Sequence, residues 1–143
     1  MSDIDIELGS GIAAFESKDF TRAMRLLSPL AEQGIPDALY RMAIMYQNGL
    51  GLVKNEQYAY KWMREAAEKG YPYAQHGLGI MYLYGECVDK NEAEAVKWFE
   101  AAAKQGLPGA QMTLGMMYEN GQGVEKNELE ARRWYKMAES NAD

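Results

Sequence analysis

The 143-residue chain carries a net charge of -6, with 48% hydrophobic and 25% charged residues. That is ordinary globular composition at a size able to bury a sizeable core, and no basic stripe offers itself to nucleic-acid phosphates. No apolar run approaches the roughly 18 residues of a membrane span, and "MSDIDIELGSG" lacks the apolar segment of a signal peptide.

The first predicted helix pair lies in "AFESKDFTRAMRLLSPLAEQG", from Ala14 to Gly34, with a short connection. From there the chain repeats itself in steps of 36: Ala38, Ala74 and Ala110; Met45-Tyr46, Met81-Tyr82 and Met117-Tyr118; Gly49, Gly85 and Gly121; Trp62, Trp98 and Trp134. Searching for such a period comes before any local reading, because a repeat dictates the whole architecture. The spacing predicts one repeat domain over 1–143, divided into a short unit 1–35 and three units 36–71, 72–107 and 108–143. Ala23 aligns with Ala59 and Gly34 with Gly70, so the short unit follows the same plan.

Each full unit reads as two helices. The first ends near a glycine, and a loop such as "GECVDK" follows. Asn91 then stands as an N-cap with Glu94 completing a capping box, and Asn127 with Glu130 repeats the device. Ala95, Trp98, Phe99 and Ala102 recur at helical spacing and form the buried stripe of the second helix. "KQGLP" ends it, with a last-turn cation, a glycine for the left-handed cap and a proline that forbids continuation. Gly79 and Gly115 share a column with Ala43 in the first helices. A glycine there costs about 1 kcal/mol against alanine, which implies a bulky neighbour at close range, and the paired helix's tryptophan is the natural candidate. Gly77 fits no such pattern, its column holding Arg41 and Thr113.

"LGIMYLYGECVDKNEAEAVKWFEAAAKQG" and "LGMMYENGQGVEKNELEARRWYKMA" resemble Sel-one-like repeats (SLR), a branch of the tetratricopeptide superfamily. "KDFTRAMRLL" in the first unit is similar to an ordinary tetratricopeptide unit. The resemblance implies an all-α solenoid of about four antiparallel helix pairs in a right-handed superhelix. It also implies an adaptor or scaffold that binds protein, as in many bacterial signalling, envelope and host-contact proteins.

Catalysis finds no support in the residues. His76 is the only histidine, no nucleophile motif accompanies it, and no serine opens a Ser-x-x-Lys. One histidine and one cysteine supply no metal-ligand cluster, and the glycines of "NGLG" and "NGQG" read as turns rather than a phosphate cradle. No catalytic, cofactor or metal residue is assigned, and no cofactor is expected. Some secreted, cysteine-rich SLR proteins are associated with β-lactam binding or hydrolysis. That is the alternative reading, and the lone Cys87 counts against it because a disulfide per repeat is missing. The same lone cysteine favours a reducing, cytoplasmic setting.

Binding is the stronger expectation. Met42, Leu78 and Leu114 with Met45, Met81 and Met117 form the core stripe of the first helices. The opposite face would line the concave side of a solenoid. There the sequence offers Tyr40, Ile44, Asn48, Tyr73, His76, Ile80, Leu83, Tyr84, Met112, Met116 and Asn120 as a groove for a protein or peptide partner. A wholly structural alternative has Ile44, Ile80 and Met116 packing between neighbouring first helices. A third reading has a structural subunit whose groove is filled by its own neighbour in a stable oligomer; beside the first reading, a weak homo-oligomer is the self-association expected. In the last unit Arg132 and Glu139 replace Val96 and Ala103, the polar outer surface expected of a terminal repeat in a complete small protein.

Overall fold

A computed structural model describes residues 2–141. Among them are eight helices and no strand: α1 (Asp3–Glu16), α2 (Phe20–Glu32), α3 (Pro36–Asn48), α4 (Glu56–Glu68), α5 (Pro72–Tyr84), α6 (Glu92–Lys104), α7 (Pro108–Asn120) and α8 (Glu128–Asn141). They fall into two compact units, the first closing at Tyr71 and the second opening at Pro72. In the first unit α1 pairs with α2 and α3 with α4, while α2 packs on α3. The second unit repeats this with α5 on α6, α7 on α8 and α6 on α7.

Local chemistry explains the boundaries. Proline opens α3 and α7 at a position whose amide no helix carbonyl would use. Gly49 and Gly121, at φ 66° and 67°, close them in the left-handed conformation and donate to the carbonyls of Met45 and Met117. The second helices begin on Asn55, Asn91 and Asn127, whose side chains each accept an amide three residues on at 3.0 Å. The expected capping boxes form only in this half. The asparagine amides donate instead to the carbonyls of Tyr46, Tyr82 and Tyr118, at 2.9, 2.8 and 2.9 Å, so no donor is left for Glu94 or Glu130. Those glutamates pair with Lys97 and Arg133. Each asparagine thus ties the start of a second helix to its own first helix. A complete capping box occurs at α1, between Ser2 and Asp5, where no sequence column pointed.

The core follows the predicted stripe. Met42 and Met45 are buried in the first unit, and Leu78, Met81, Leu114 and Met117 in the second. Trp134 is buried, whereas Trp62 and Trp98 are only half-buried. The close neighbour of the mid-helix glycines is therefore not tryptophan. A Cβ on Gly79 would stand 2.9 Å from the ring of Phe99, and one on Gly115 would stand 2.7 Å from Tyr135. The residue after each tryptophan fills this space.

The buried glutamines are answered, whereas the indole N–H of Trp98 is buried with no hydrogen-bond partner among the described residues. Gln111 is wholly enclosed; its Nε2 donates to the Ala103 carbonyl at 3.0 Å and its Oε1 accepts from Asn141 at 3.2 Å. One repeat earlier, Gln105 donates to the buried Gln75 at 2.8 Å. In the first unit Asp37 accepts from Arg41 Nε and from the Tyr71 hydroxyl, both at 2.6 Å. Burial, and then that hydrogen bond, hold the Tyr71 hydroxyl well above its usual pKa.

A candidate binding face on the first helices

In the second unit the predicted face is set apart by charge. α5 contains no charged residue, and Glu119 is the single one in α7. The partner helices α6 and α8 carry Lys97, Lys104, Lys136, both arginines and most of the glutamates of this unit. The cause is the repeat itself: α5 and α7 bury one side against second helices, and their other side has not been made polar.

Tyr73, Tyr84, Met112 and Met116 all stand exposed on these two helices, Tyr84 at 66%. Asn120 is exposed beside them, and Ile80 is half-buried. His76 is half-buried, its ring packed edge-on against Phe99 with centroids 5.5 Å apart. Burial pushes its pKa below the usual value, which favours the neutral imidazole. A Cβ on Gly109 would meet His76 Nε2 at 3.7 Å, an ordinary contact. His76 therefore reaches from α5 to the first turn of α7.

One expectation changes: Leu83 is 8% exposed and belongs to the core, so it does not line the face. His76 stays among the half-buried residues of the face, its ring seated between Phe99 and Gly109. Gly109 was missing from the predicted face. Its column holds Asp37 and Tyr73, and that loss of a side chain is the signal for an opening beside His76.

In the first unit Tyr40 and Ile44 are half-buried, with the Tyr40 ring 5.5 Å from that of Tyr71. Asn48 is exposed, and its Nδ2 donates to the carbonyl of Ile44 at 3.0 Å. Among the described residues no cluster of His, Cys, Asp or Glu is arranged to hold a metal ion. No described helix is long and apolar enough to cross a membrane.

The Sel1 repeat pattern matches residues 8–35, 36–71, 72–107 and 108–143. The chain belongs to the Sel1 repeat family. The pattern includes the first unit, which matches as a Sel1 repeat like the other three. A Sel1 repeat protein from Oxalobacter formigenes is 36% identical, with a TM-score of 0.90 over 99% of this chain and 55% of that one. A protective antigen present in uropathogenic Escherichia coli strains, displaying an SLR fold, is 37% identical, with a TM-score of 0.91 over 99% of this chain and 31% of its own. The Sel1 chain thus spans only part of either relative. Helicobacter pylori cysteine rich protein B shares the fold, at 20% identity and a TM-score of 0.69 over 87% of this chain and 90% of that one. Among curated proteins none matches the sequence. Membership and these neighbours support an α-solenoid repeat module of the protein-interaction class.

Proposed function

We propose that this Sel1 repeat chain is an adaptor that binds a peptide segment of a protein partner along the uncharged face of α5 and α7. One observation carries the reading: two whole helices hold a single charge between them, yet present Tyr73, Tyr84, Met112 and Met116 to solvent. An apolar band of that kind on a water-soluble surface is characteristically an interaction site. Its aromatic members are the type that dominates binding energy when desolvated. The methionines adapt to more than one side-chain shape, which favours a partner read by apolar spacing over one read by a unique contact. Tyr40, Ile44 and Asn48 offer the same columns on α3 in the first unit.

Peptides selected from a random library on the immobilised protein supply a ligand for titration. Met112→Glu combined with Met116→Glu should weaken that ligand by roughly 30-fold or more, the size of a lost hot spot. The melting temperature should stay near that of the parent, because both side chains are exposed. Undiminished affinity in this variant would place the site elsewhere.

A further inference from the structure

α8 exposes apolar side chains on a surface unrelated to the α5/α7 face. Leu129 is 69% exposed and Met137 41%. With Arg133, Lys136 and Ser140 they stand at helical spacing from one another and form one stripe. Arg133, Lys136 and Met137 line a shallow depression of about 450 Å³. Glu128 and Glu139 project from other sides of the helix, while Glu130, seven residues before Met137, edges the stripe and accepts from Arg133 at 3.1 Å, so the stripe's cations are Lys136 and the Glu130-paired Arg133.

In the corresponding stripe of α6, Ala93, Lys97 and Lys104 are exposed and Glu100 and Ala101 half-buried, even though α7 packs on α6. Most of that stripe therefore faces outward. On α4 the equivalent positions include Gln57 and Glu65, and Arg64 is held by Glu68 at 2.6 Å. Among α4, α6 and α8 only α8 carries exposed Leu and Met at these columns, and its Arg133, like Arg64, is held by an acid about one turn away.

α1 is its opposite in charge and in size. It holds Asp3, Asp5, Glu7 and Glu16 and no cation. Ile6 is 53% exposed, a Cβ on Gly9 would meet nothing within 4 Å, and Ala13 is exposed on the same side. Small residues let another helix approach closely, and the acids flank the line of approach.

We propose that a second copy of the chain lays the Ile6–Gly9–Ala13 stripe of its α1 against the Leu129–Met137 stripe of α8, with Arg133 and Lys136 facing the α1 acids. The contact is heterologous, so two copies joined by one contact keep one α1 stripe and one α8 stripe on which further copies can add in series. A single helix-on-helix contact falls short of the roughly 1,000 Å² of a stable interface, so association is weak, reversible and reduced by salt.

Sedimentation equilibrium on the intact chain, up to about 1 mM, reads this directly. The average mass should rise with concentration past that of a dimer, and less so in high salt. Leu129→Asp with Met137→Asp should remain monomeric, as should Ile6→Asp with Ala13→Asp; all four side chains are solvent-exposed. Mixing the two variants should restore a species that stops at two copies, since each retains one good stripe. Arg133→Glu with Lys136→Glu should weaken the series without touching apolar contacts. A parent that stays monomeric throughout, a mass that levels at the dimer, or association that survives in the α8 variant would each overturn the proposal. So would a monomer whose α8 stripe instead binds anionic vesicles.

Discussion

The ring of Phe99 lies so close beneath Gly79 that a methyl group on that glycine would sit 2.9 Å from it. Gly115 and Tyr135 repeat the relationship one unit on, with 2.7 Å for the same added methyl. In the second repeat the column reads Ala43, and the residue in the ring's place is the buried, unbranched Met63. The chain thus exchanges bulk between paired helices from one repeat to the next. Gly79→Ala should destabilise by about 1–3 kcal/mol through overpacking. Combining it with Phe99→Met should recover part of the loss. Urea unfolding of the two single variants and the double variant measures the coupling.

Gly109→Ala should do the reverse. Its Cβ would meet only His76 at 3.7 Å, and the position is already helical. Removing a glycine there should stabilise by about 0.5–1 kcal/mol, chiefly by restricting the unfolded chain. A lower unfolding midpoint would show that the opening beside His76 does not tolerate a methyl group.

Much of this was legible because the chain is written against itself. A period, repeated caps and repeated C-terminal glycines located the helix pairs and the core stripe without any outside comparison. Trp98 and Leu83 were harder to place for a shared reason. Both sit at the edge of an apolar stripe, where a rotation of the helix by a fraction of a turn moves a side chain from face to core. Tryptophan drew the eye as the largest side chain, but Trp98 is half-buried and Phe99 is fully enclosed. The second half of the capping box failed because the asparagine amide already serves the tyrosine carbonyl, a tertiary bond that local spacing does not show.

The loop glycines hold the repeats together by backbone contact. Gly51, at φ +71°, would carry a Cβ 2.7 Å from the Phe20 backbone, and Gly123, at φ +70°, would carry one onto the backbone of Glu92. Cys87 shares the left-handed conformation at φ 64°. Gly123→Ala incurs both the left-handed penalty, on the order of 1–2 kcal/mol, and a collision with backbone that no rotamer relieves. It should cost more than Gly79→Ala in the same unfolding assay. A smaller effect would mean that the loop lifts off α6 without penalty.

Gln111 should be nearly as sensitive. Replacing it by alanine empties a fully buried site and leaves Asn141 without its acceptor, at a cost of about 2–4 kcal/mol. Leucine stands in this column at Leu39, also buried, so Gln111→Leu should cost less than alanine. Chemical denaturation of both variants orders them. An alanine variant as stable as the leucine one would show that neither the filled volume nor the amide contributes.

His76 is the only histidine, so its imidazole resonances titrate without overlap from another ring. Burial against Phe99 disfavours the imidazolium and sets the folded-state pKa below the ordinary value of 6.5. Between those two values the unfolded chain binds more protons than the folded one, so stability rises with pH. Its contribution is fully present above the unfolded pKa and is lost as pH falls from there through the depressed folded value. The unfolding free energy should therefore drop as the protein is taken from neutral pH to mildly acidic pH, above the range in which carboxylates titrate. His76→Gln should flatten that slope while leaving any carboxylate-driven loss at lower pH. An imidazole midpoint at or above 6.5 would place the ring in water and remove it from the contact between α5, α6 and α7.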